Sequence, residues 1–135
     1  MESNQLKLSM KMAIILGIFL PLAETIRRIH QILIFKDFLL WIDDYLIGTV
    51  LLIATFRVYR KKHKSREYLI AAWGITTGGI FLSCLGQVNY IINEIPEKGV
   101  FSSGLVMLIK TLILIYVLVG LSLSIKVNEP NKNQN

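Results

Sequence analysis

The stretch SSGLVMLIKTLILIYVLVGLSLSI, residues 102–125, contains one charged side chain, Lys110. At about 1.5 Å per helical residue, it is long enough to cross the roughly 30 Å hydrocarbon core of a bilayer. The chain has 135 residues, of which 53% are hydrophobic and 18% are charged, so a water-soluble domain of this size would lack polar surface. The stretch and the composition together predict an integral membrane protein.

Three more apolar segments precede it and are also long enough to span the core, at about residues 12–35, 38–56 and 68–92. The sequence therefore predicts an all-α fold, an integral membrane four-helix bundle that forms a single domain over residues 1–126. Residues 127–135 are rich in Asn and Lys and are predicted to be a disordered cytoplasmic tail.

The first segment contains Pro21, which should kink the helix near residues 18–21. A second interpretation of this region is a secretory signal peptide, because Lys7 and Lys11 precede an apolar run of suitable length. Cleavage after Ala23 would leave three helices, but Pro21 would then stand where the cleavage site requires a small residue. We therefore expect the first helix to be retained.

The Lys and Arg residues predict the orientation, since cytoplasmic loops of membrane proteins are enriched in them. Ten of the fifteen lie in the two tails and the connection 57–67, at Lys7, Lys11, Arg57, Arg60, Lys61, Lys62, Lys64, Arg66, Lys126 and Lys132. The two opposite connections contain only Lys36 and Lys98. Both termini are therefore expected inside (N-in/C-in), and in a bacterium the far side would be periplasmic.

The basic connection Arg57–Arg66 is expected to contact anionic lipid headgroups. The formal net charge of +6 does not predict nucleic acid binding, because the basic residues follow the membrane topology instead of forming a separate basic tail. The bilayer is therefore the expected partner, and a homodimer or a partner membrane protein is a further alternative.

Four polar residues share one face of the first helix at the spacing i, i+3, i+4, i+7: Glu24, Arg27, Arg28 and Gln31. Ionisable groups inside a membrane are costly and usually face a bundle interior or a water-filled cavity. An alternative is that the first helix ends near Ala23 and that residues 24–36 lie on the outer membrane surface.

Asp43 and Asp44 begin the second helix beside Trp41 and Tyr45. This pattern is typical of an interfacial helix start, and the alternative is that at least one of the two aspartates pairs with the surplus arginine of the first helix. Lys110 lies roughly 12 Å from the outer end of the fourth helix. It either extends outward to the interface or pairs with an acidic residue inside the bundle.

In the predicted topology these six ionisable residues all lie in the outer half of the membrane, and their charges sum to zero. Gln87 and Asn89, near the outer end of the third helix, add neutral hydrogen-bonding groups. Because desolvated charges persist when they are paired, the sequence predicts one polar, charge-paired cluster near the outer face. Three interpretations of the cluster are open: a purely structural charge network, a ligand site or a proton path.

The third helix contains a ridge of small residues, which let helices approach closely in lipid: Gly74, Gly78, Gly79, Ser83 and Gly86. The ridge predicts close packing against another helix of the bundle, and the alternative is a dimer interface.

Several kinds of chemistry lack the residues that they need. Cys84 is the single cysteine, and His30 is separated from His63, so neither a structural zinc site nor a haem held by two in-membrane histidines is expected. No Cys-x-x-Cys and no nucleophile elbow is present. The sequence predicts no metal, no cofactor and no catalytic residues, and it favours a non-enzymatic protein.

Four short motifs resemble a family of short, uncharacterised bacterial inner-membrane proteins: E-T-I-R-R at 24–28, D-D-Y-L-I-G at 43–48, A-A-W-G at 71–74 and G-Q at 86–87. The resemblance covers about residues 20–125. It implies a bacterial membrane location and carries no activity, substrate or cofactor.

The first functional hypothesis is a small multi-pass binding or accessory protein with a polar site in the outer leaflet, for a small polar ligand, a lipid headgroup or a partner protein. The second is a small transporter or proton-conducting protein that uses Glu24 with Asp43 or Asp44. The third is a membrane-embedded enzyme that acts on lipid. The inner halves of the predicted helices offer only neutral polar groups such as Thr76 and Ser122, which disfavours the second hypothesis.

Overall fold

The computed structural model describes residues 4–35, 38–96 and 101–126, and these residues form helices without any strand. The helices are α1 (Asn4–Leu33), α2 (Ile42–Tyr59), α3 (Ser65–Ile92) and α4 (Ser103–Lys126), with a short 3-10 helix at Phe38–Leu40. The prediction of an all-α chain with four helices is confirmed for the described residues. The predicted tail 127–135 lies outside them, as do Lys36 and Lys98.

The observed helix bounds differ from the predicted ones mainly at the starts. Helix α1 begins at Asn4, well before residue 12, because Leu6, Ser9 and Met10 are already buried against the other helices. Helix α2 begins at Ile42 because the residues just before it form the 3-10 turn.

Helices α1, α3 and α4 are the three helices of the described chain that are long and apolar enough to cross a membrane. Helix α2 is shorter and contains Asp43, Asp44 and Arg57. Large apolar side chains are exposed on all four helices, for example Ile15 at 61%, Leu82 at 67% and Leu112 at 58%. So much exposed apolar surface is unusual for a soluble monomer and typical of a membrane protein.

The four helices run alternately up and down, and each packs against the next in the chain, with α4 returning to α1. One end of the bundle, where α1 and α3 finish and α2 and α4 begin, is called the cavity end below. The other end, which contains the connection between α2 and α3, is called the basic end.

A buried hydrogen-bond chain joins three helices toward the basic end. The indole Nε1 of Trp73 donates to Ser9 Oγ at 2.9 Å, and Ser9 Oγ donates to the carbonyl oxygen of Gly120 at 3.0 Å. Trp73 and Ser9 are fully buried, so each polar group in this apolar core has the partner that burial requires. Arg66 also donates to the Ser124 carbonyl at 3.0 Å, which satisfies an unpaired carbonyl in the last turn of α4.

The predicted kink near residues 18–21 is displaced in the structure. Helix α1 continues through Pro21, and the non-helical backbone inside it occurs at Arg28, with φ −124° and ψ 26°. Pro21 cannot donate to the carbonyl of Gly17. That carbonyl instead faces Gly48 of α2, where an added Cβ would lie only 2.6 Å from the oxygen.

Three of the five small residues in the predicted ridge on α3 do not pack closely within the monomer, and the alternative of a dimer interface stays a prediction. A Cβ added at Gly74, Gly78 or Gly86 would meet no atom within 4 Å, so these glycines do not mediate close approach within the monomer. Gly79 does, since a Cβ there would lie 2.7 Å from Ile47 Cδ1. The close contact of α3 with α4 is made by the Trp73 ring, which lies against Gly120, and not by a glycine of α3.

Other close approaches between helices use glycines that the sequence did not single out. Gly17 and Gly48 bring α1 and α2 together, and Gly120 gives space to the Trp73 ring. Each is opposed by a residue on a different helix, so its role depends on which surfaces the fold brings together.

Candidate functional site

A polar cavity of about 190 Å³ opens at the cavity end, where all four helices contribute side chains. The polar cavity is defined by the residues that line it: Glu24, Arg27, Arg28, Leu39, Asp43, Asp44, Ser83, Gly86, Gln87, Tyr90 and Lys110. The structure therefore brings together six ionisable residues from α1, α2 and α4, together with Gln87 of α3.

Glu24 is the most deeply buried of these charged residues, with 3% of its surface exposed. Its Oε1 lies 2.6 Å from Arg28 Nε, and its Oε2 accepts a hydrogen bond from Arg27 Nη1 at 3.4 Å. The i, i+3 and i, i+4 spacing allows both contacts within α1, so Glu24 pairs with the two arginines of its own helix.

Arg28 links this pair to the next turn. Its Nη1 donates to Gln31 Oε1 at 2.9 Å, which places Gln31 behind the cavity wall rather than in its lining. The non-helical backbone at Arg28 occurs in the same turn. Helix α1 nevertheless continues to Leu33 with Glu24 buried, which disfavours an end of the first helix near Ala23.

Lys110 extends from α4 toward α3. Its Nζ donates to Gln87 Oε1 and to the Ser83 carbonyl oxygen, each at 3.3 Å. Gln87 in turn donates through Nε2 to the Ser103 carbonyl at 3.4 Å. These contacts with α3 show that Lys110 faces the bundle interior.

Asp43 and Asp44 line the cavity from the first turn of α2, where a helix dipole favours carboxylates. The backbone N–H of Asp44 donates to Asp43 Oδ1 at 2.9 Å. Asp43 is exposed, whereas Asp44 is partly buried. The Tyr45 hydroxyl is hydrogen-bonded to Thr25 Oγ1, which fixes α2 against α1 beside the cavity.

Asn89 is not part of the cavity. Its side chain is exposed, and its Oδ1 accepts from Asn93 Nδ2 at 2.6 Å at the end of α3.

Within the described ranges, no group of three or more His, Cys, Asp or Glu residues is arranged to hold a metal ion. His30 is exposed on α1.

Gly86 has a role at the cavity that differs from the predicted helix packing. It lines the polar cavity, and a Cβ at this position would enter open space. Its missing side chain therefore keeps the cavity open. The spacing of small residues on α3 could not reveal this role, because three other helices are needed to complete the cavity.

An apolar groove leads away from the polar cavity along the seam between α1 and α4. Its upper part, about 440 Å³, shares Glu24, Arg27, Asp44, Ser83 and Lys110 with the cavity. The remaining lining of this part is apolar: Phe19, Leu20, Leu22, Ala23, Ile26, Ile80, Phe101, Val106 and Ile109.

A lower part of the apolar groove, about 340 Å³, continues past Phe19 and Ile109 to Ile15 and Tyr116. Helices α1 and α4 are hydrogen-bonded below this region, from Tyr116 OH to the Met12 carbonyl and from Ser9 to Gly120. They pack less extensively than the other neighbouring pairs. Sequence reasoning missed the groove, because it is a gap between two helices and not a motif on either.

The resemblance to uncharacterised inner-membrane proteins stays a prediction. No protein-family model matches the sequence, and neither the curated proteins nor the solved structures provide a match.

Proposed function

We propose that the chain is a four-span, N-in/C-in protein of a bacterial inner membrane that binds a small polar ligand in its polar cavity. The ligand carries both a positive and a negative group, and the protein binds it without transforming it. The observation that supports the proposal is the lining of the cavity, where three cations and three anions surround open space. A purely structural charge network would need no open space beside the charges.

The distribution of basic residues supports the proposed orientation. Arg60, Lys61, Lys62 and Lys64 are exposed at the basic end, opposite the polar cavity. Arg57 lies 4.2 Å from the centre of the Tyr68 ring, and Arg66 is bonded to the end of α4. The four exposed cations are therefore the ones proposed to contact anionic lipid on the cytoplasmic side.

Binding is favoured over transport by the contrast between the two halves of the bundle. The buried polar residues of the described chain away from the cavity end are neutral, namely Ser9, Thr55, Thr76 and Ser124. Each of these hydroxyls donates to a backbone carbonyl of the bundle. A proton path needs groups that exchange protons across the whole membrane. In the half away from the cavity end, the buried hydroxyls are instead hydrogen-bonded to backbone carbonyls.

The proposal is tested by titrating the purified protein in detergent with glycerophosphoethanolamine, a soluble zwitterion, and measuring heat by calorimetry. We expect saturable binding that is weakened about tenfold by Gly86→Leu, because the leucine fills the cavity. Gly78→Leu is the matched control, since it makes the same change on the same helix where a Cβ also meets nothing within 4 Å.

Equal binding by both leucine variants would contradict the assignment of the cavity as the site. Absence of saturable binding by the wild-type protein would contradict the proposed ligand class. Proton flux in liposomes that depends on Glu24 and Asp44 would instead favour the transporter hypothesis.

A further inference from the structure

The length of the apolar groove matches one leaflet of a bilayer. On α1 the groove extends from Ile26 to Ile15, and these residues are about 16 Å apart along the helix axis at 1.5 Å per residue. Half of a hydrocarbon core of roughly 30 Å is about the same distance. A hydrocarbon chain that starts at the polar cavity would therefore reach the middle of the membrane within the groove.

The walls of the groove suit a hydrocarbon chain and not a helix. The side chains of Phe19, Leu22 and Ile26 are exposed by 45%, 56% and 62% on the α1 side. The hydrogen bonds that join α1 and α4 directly below the groove disfavour insertion of a helix of about 10 Å diameter. An acyl chain contributes favourable contact along its whole length, at roughly 0.8 kcal/mol for each buried CH₂.

The charges at the top of the groove select the headgroup. Arg27 and Lys110 line both the groove and the cavity, and so does Asp44. An anionic headgroup would pair with the cations but would leave a negative charge beside the carboxylates. A zwitterion with a phosphate and an ammonium group pairs with both signs and keeps the total charge of the site at zero.

We infer that the ligand is a zwitterionic glycerophospholipid of the surrounding leaflet. Its phosphate lies beside Arg27 and Lys110, its ammonium group lies beside Asp43 and Asp44, and one acyl chain lies in the apolar groove. The lipid enters sideways between α1 and α4 without leaving the bilayer. This inference rests on the proposed function, because it assigns the polar ligand of the cavity to a lipid headgroup.

The test uses phosphatidylethanolamine that carries a photoactivatable diazirine in one acyl chain, reconstituted with the full chain in nanodiscs. Crosslinks are mapped by peptide mass spectrometry. We expect them to concentrate on the groove faces of α1 and α4, near Phe19 and Ile109. Even labelling of the exposed apolar faces of all four helices would overturn the inference, since it would describe ordinary solvation by lipid.

A matched pair of variants tests the groove directly. Ala23→Phe fills the upper groove, and Ala71→Phe makes the same change at an exposed position of α3 remote from it. We expect about tenfold less groove labelling and less phosphatidylethanolamine retained in native mass spectrometry for Ala23→Phe alone. Equal labelling and retention for the two variants would overturn the inference.

Two further probes separate this inference from the proposed function. Phosphatidylglycerol, which is anionic, should compete with phosphatidylethanolamine at least tenfold more weakly if the carboxylates select the ammonium group. Equal competition would overturn the zwitterionic assignment. If soluble glycerophosphoethanolamine binds Ala23→Phe and the wild type equally, while the groove is never labelled, the proposed function survives and the lipid inference fails.

Discussion

Glu24 is buried at the polar cavity because two arginines follow it by three and four residues. A lone charge inside a membrane costs about 2.5 to 3.5 kcal/mol on insertion scales, so a carboxylate that is 3% exposed depends on its ion pairs. The contact with Arg28, at 2.6 Å, is the shorter of the two. The ion pair of Glu24 with Arg28 therefore compensates the buried negative charge in the cavity wall.

We expect Glu24→Gln and Arg28→Gln each to lower the free energy of unfolding by about 3 kcal/mol, since each strands a buried charge. The double variant should lose less than the sum of the single losses. The measurement is a double-mutant cycle of unfolding in detergent. Glu24→Gln combined with Arg60→Gln is the control, and this distant pair should be additive. Strict additivity for Glu24 with Arg28 would contradict the ion pair.

A second residue-scale prediction concerns Gly120 and Trp73. A Cβ at position 120 would overlap the six-membered ring of the indole, so Gly120→Ala should destabilise the protein by about 1 to 3 kcal/mol. The ring would also be displaced from Ser9, its hydrogen-bond acceptor. Thermal unfolding in detergent checks this, with Gly74→Ala as the open-space control. Partial recovery in Gly120→Ala combined with Trp73→Phe is expected, and equal melting of the two alanine variants would refute the contact.

At the scale of the helix, the crossing of α1 and α2 depends on the backbone itself. Gly17 and Gly48 oppose each other, and the Pro21 ring lies 2.9 Å from the position of a Cβ on Gly48. Small residues allow such approach because dispersion and weak contacts operate at short range between backbones in lipid. The crossing holds the start of α2 against α1, which positions Asp43 and Asp44 beside Glu24.

We therefore expect Gly48→Ala to separate α1 from α2, because the obstructing atom is a backbone carbonyl that cannot rotate away. The midpoint of thermal unfolding should fall, at a cost of about 1 to 3 kcal/mol. Gly78→Ala on α3 should leave it unchanged or slightly raised, since alanine favours helix over glycine by about 1 kcal/mol. An unchanged midpoint for Gly48→Ala would show that the helices do not cross there.

At the scale of the whole molecule, opposite ends of the bundle carry different charge patterns. The cavity end combines six charges of both signs in one polar cavity, and the basic end exposes Arg60, Lys61, Lys62 and Lys64. An up-and-down path of four helices places the two patterns on opposite sides of any membrane that the bundle spans. The positive-inside rule then predicts that the cavity end lies outside.

Cysteine labelling tests this orientation in a Cys84→Ser background. Ser102→Cys, an exposed position at the cavity end, should react with an impermeant maleimide in intact cells. Lys62→Cys, exposed at the basic end, should react only after the membrane is permeabilised. The opposite pattern would reverse the topology, and reaction at both positions in intact cells would show that the bundle does not span the membrane.

The sequence by itself determined the features that depend on composition and local spacing. Four helices follow from four apolar stretches, and the pairing of Glu24 with Arg27 and Arg28 follows from helical periodicity, which fixes neighbours three and four residues apart. The convergence of α1, α2 and α4 charges was also predictable, because uncompensated charges are too costly in lipid. These properties need no knowledge of which helix faces are opposed.

The tertiary structure alone decided the rest, for the reason that close contacts depend on pairs of surfaces. The small residues of α3 looked like a packing ridge, yet Gly74 and Gly78 meet open space, whereas Gly48 and Gly120 face a backbone carbonyl and an indole ring. The apolar groove is space left between two helices, so no residue pattern encodes it. Helices pack in lipid through short-range contacts between complementary surfaces, and this complementarity depends on both of the helices that face each other.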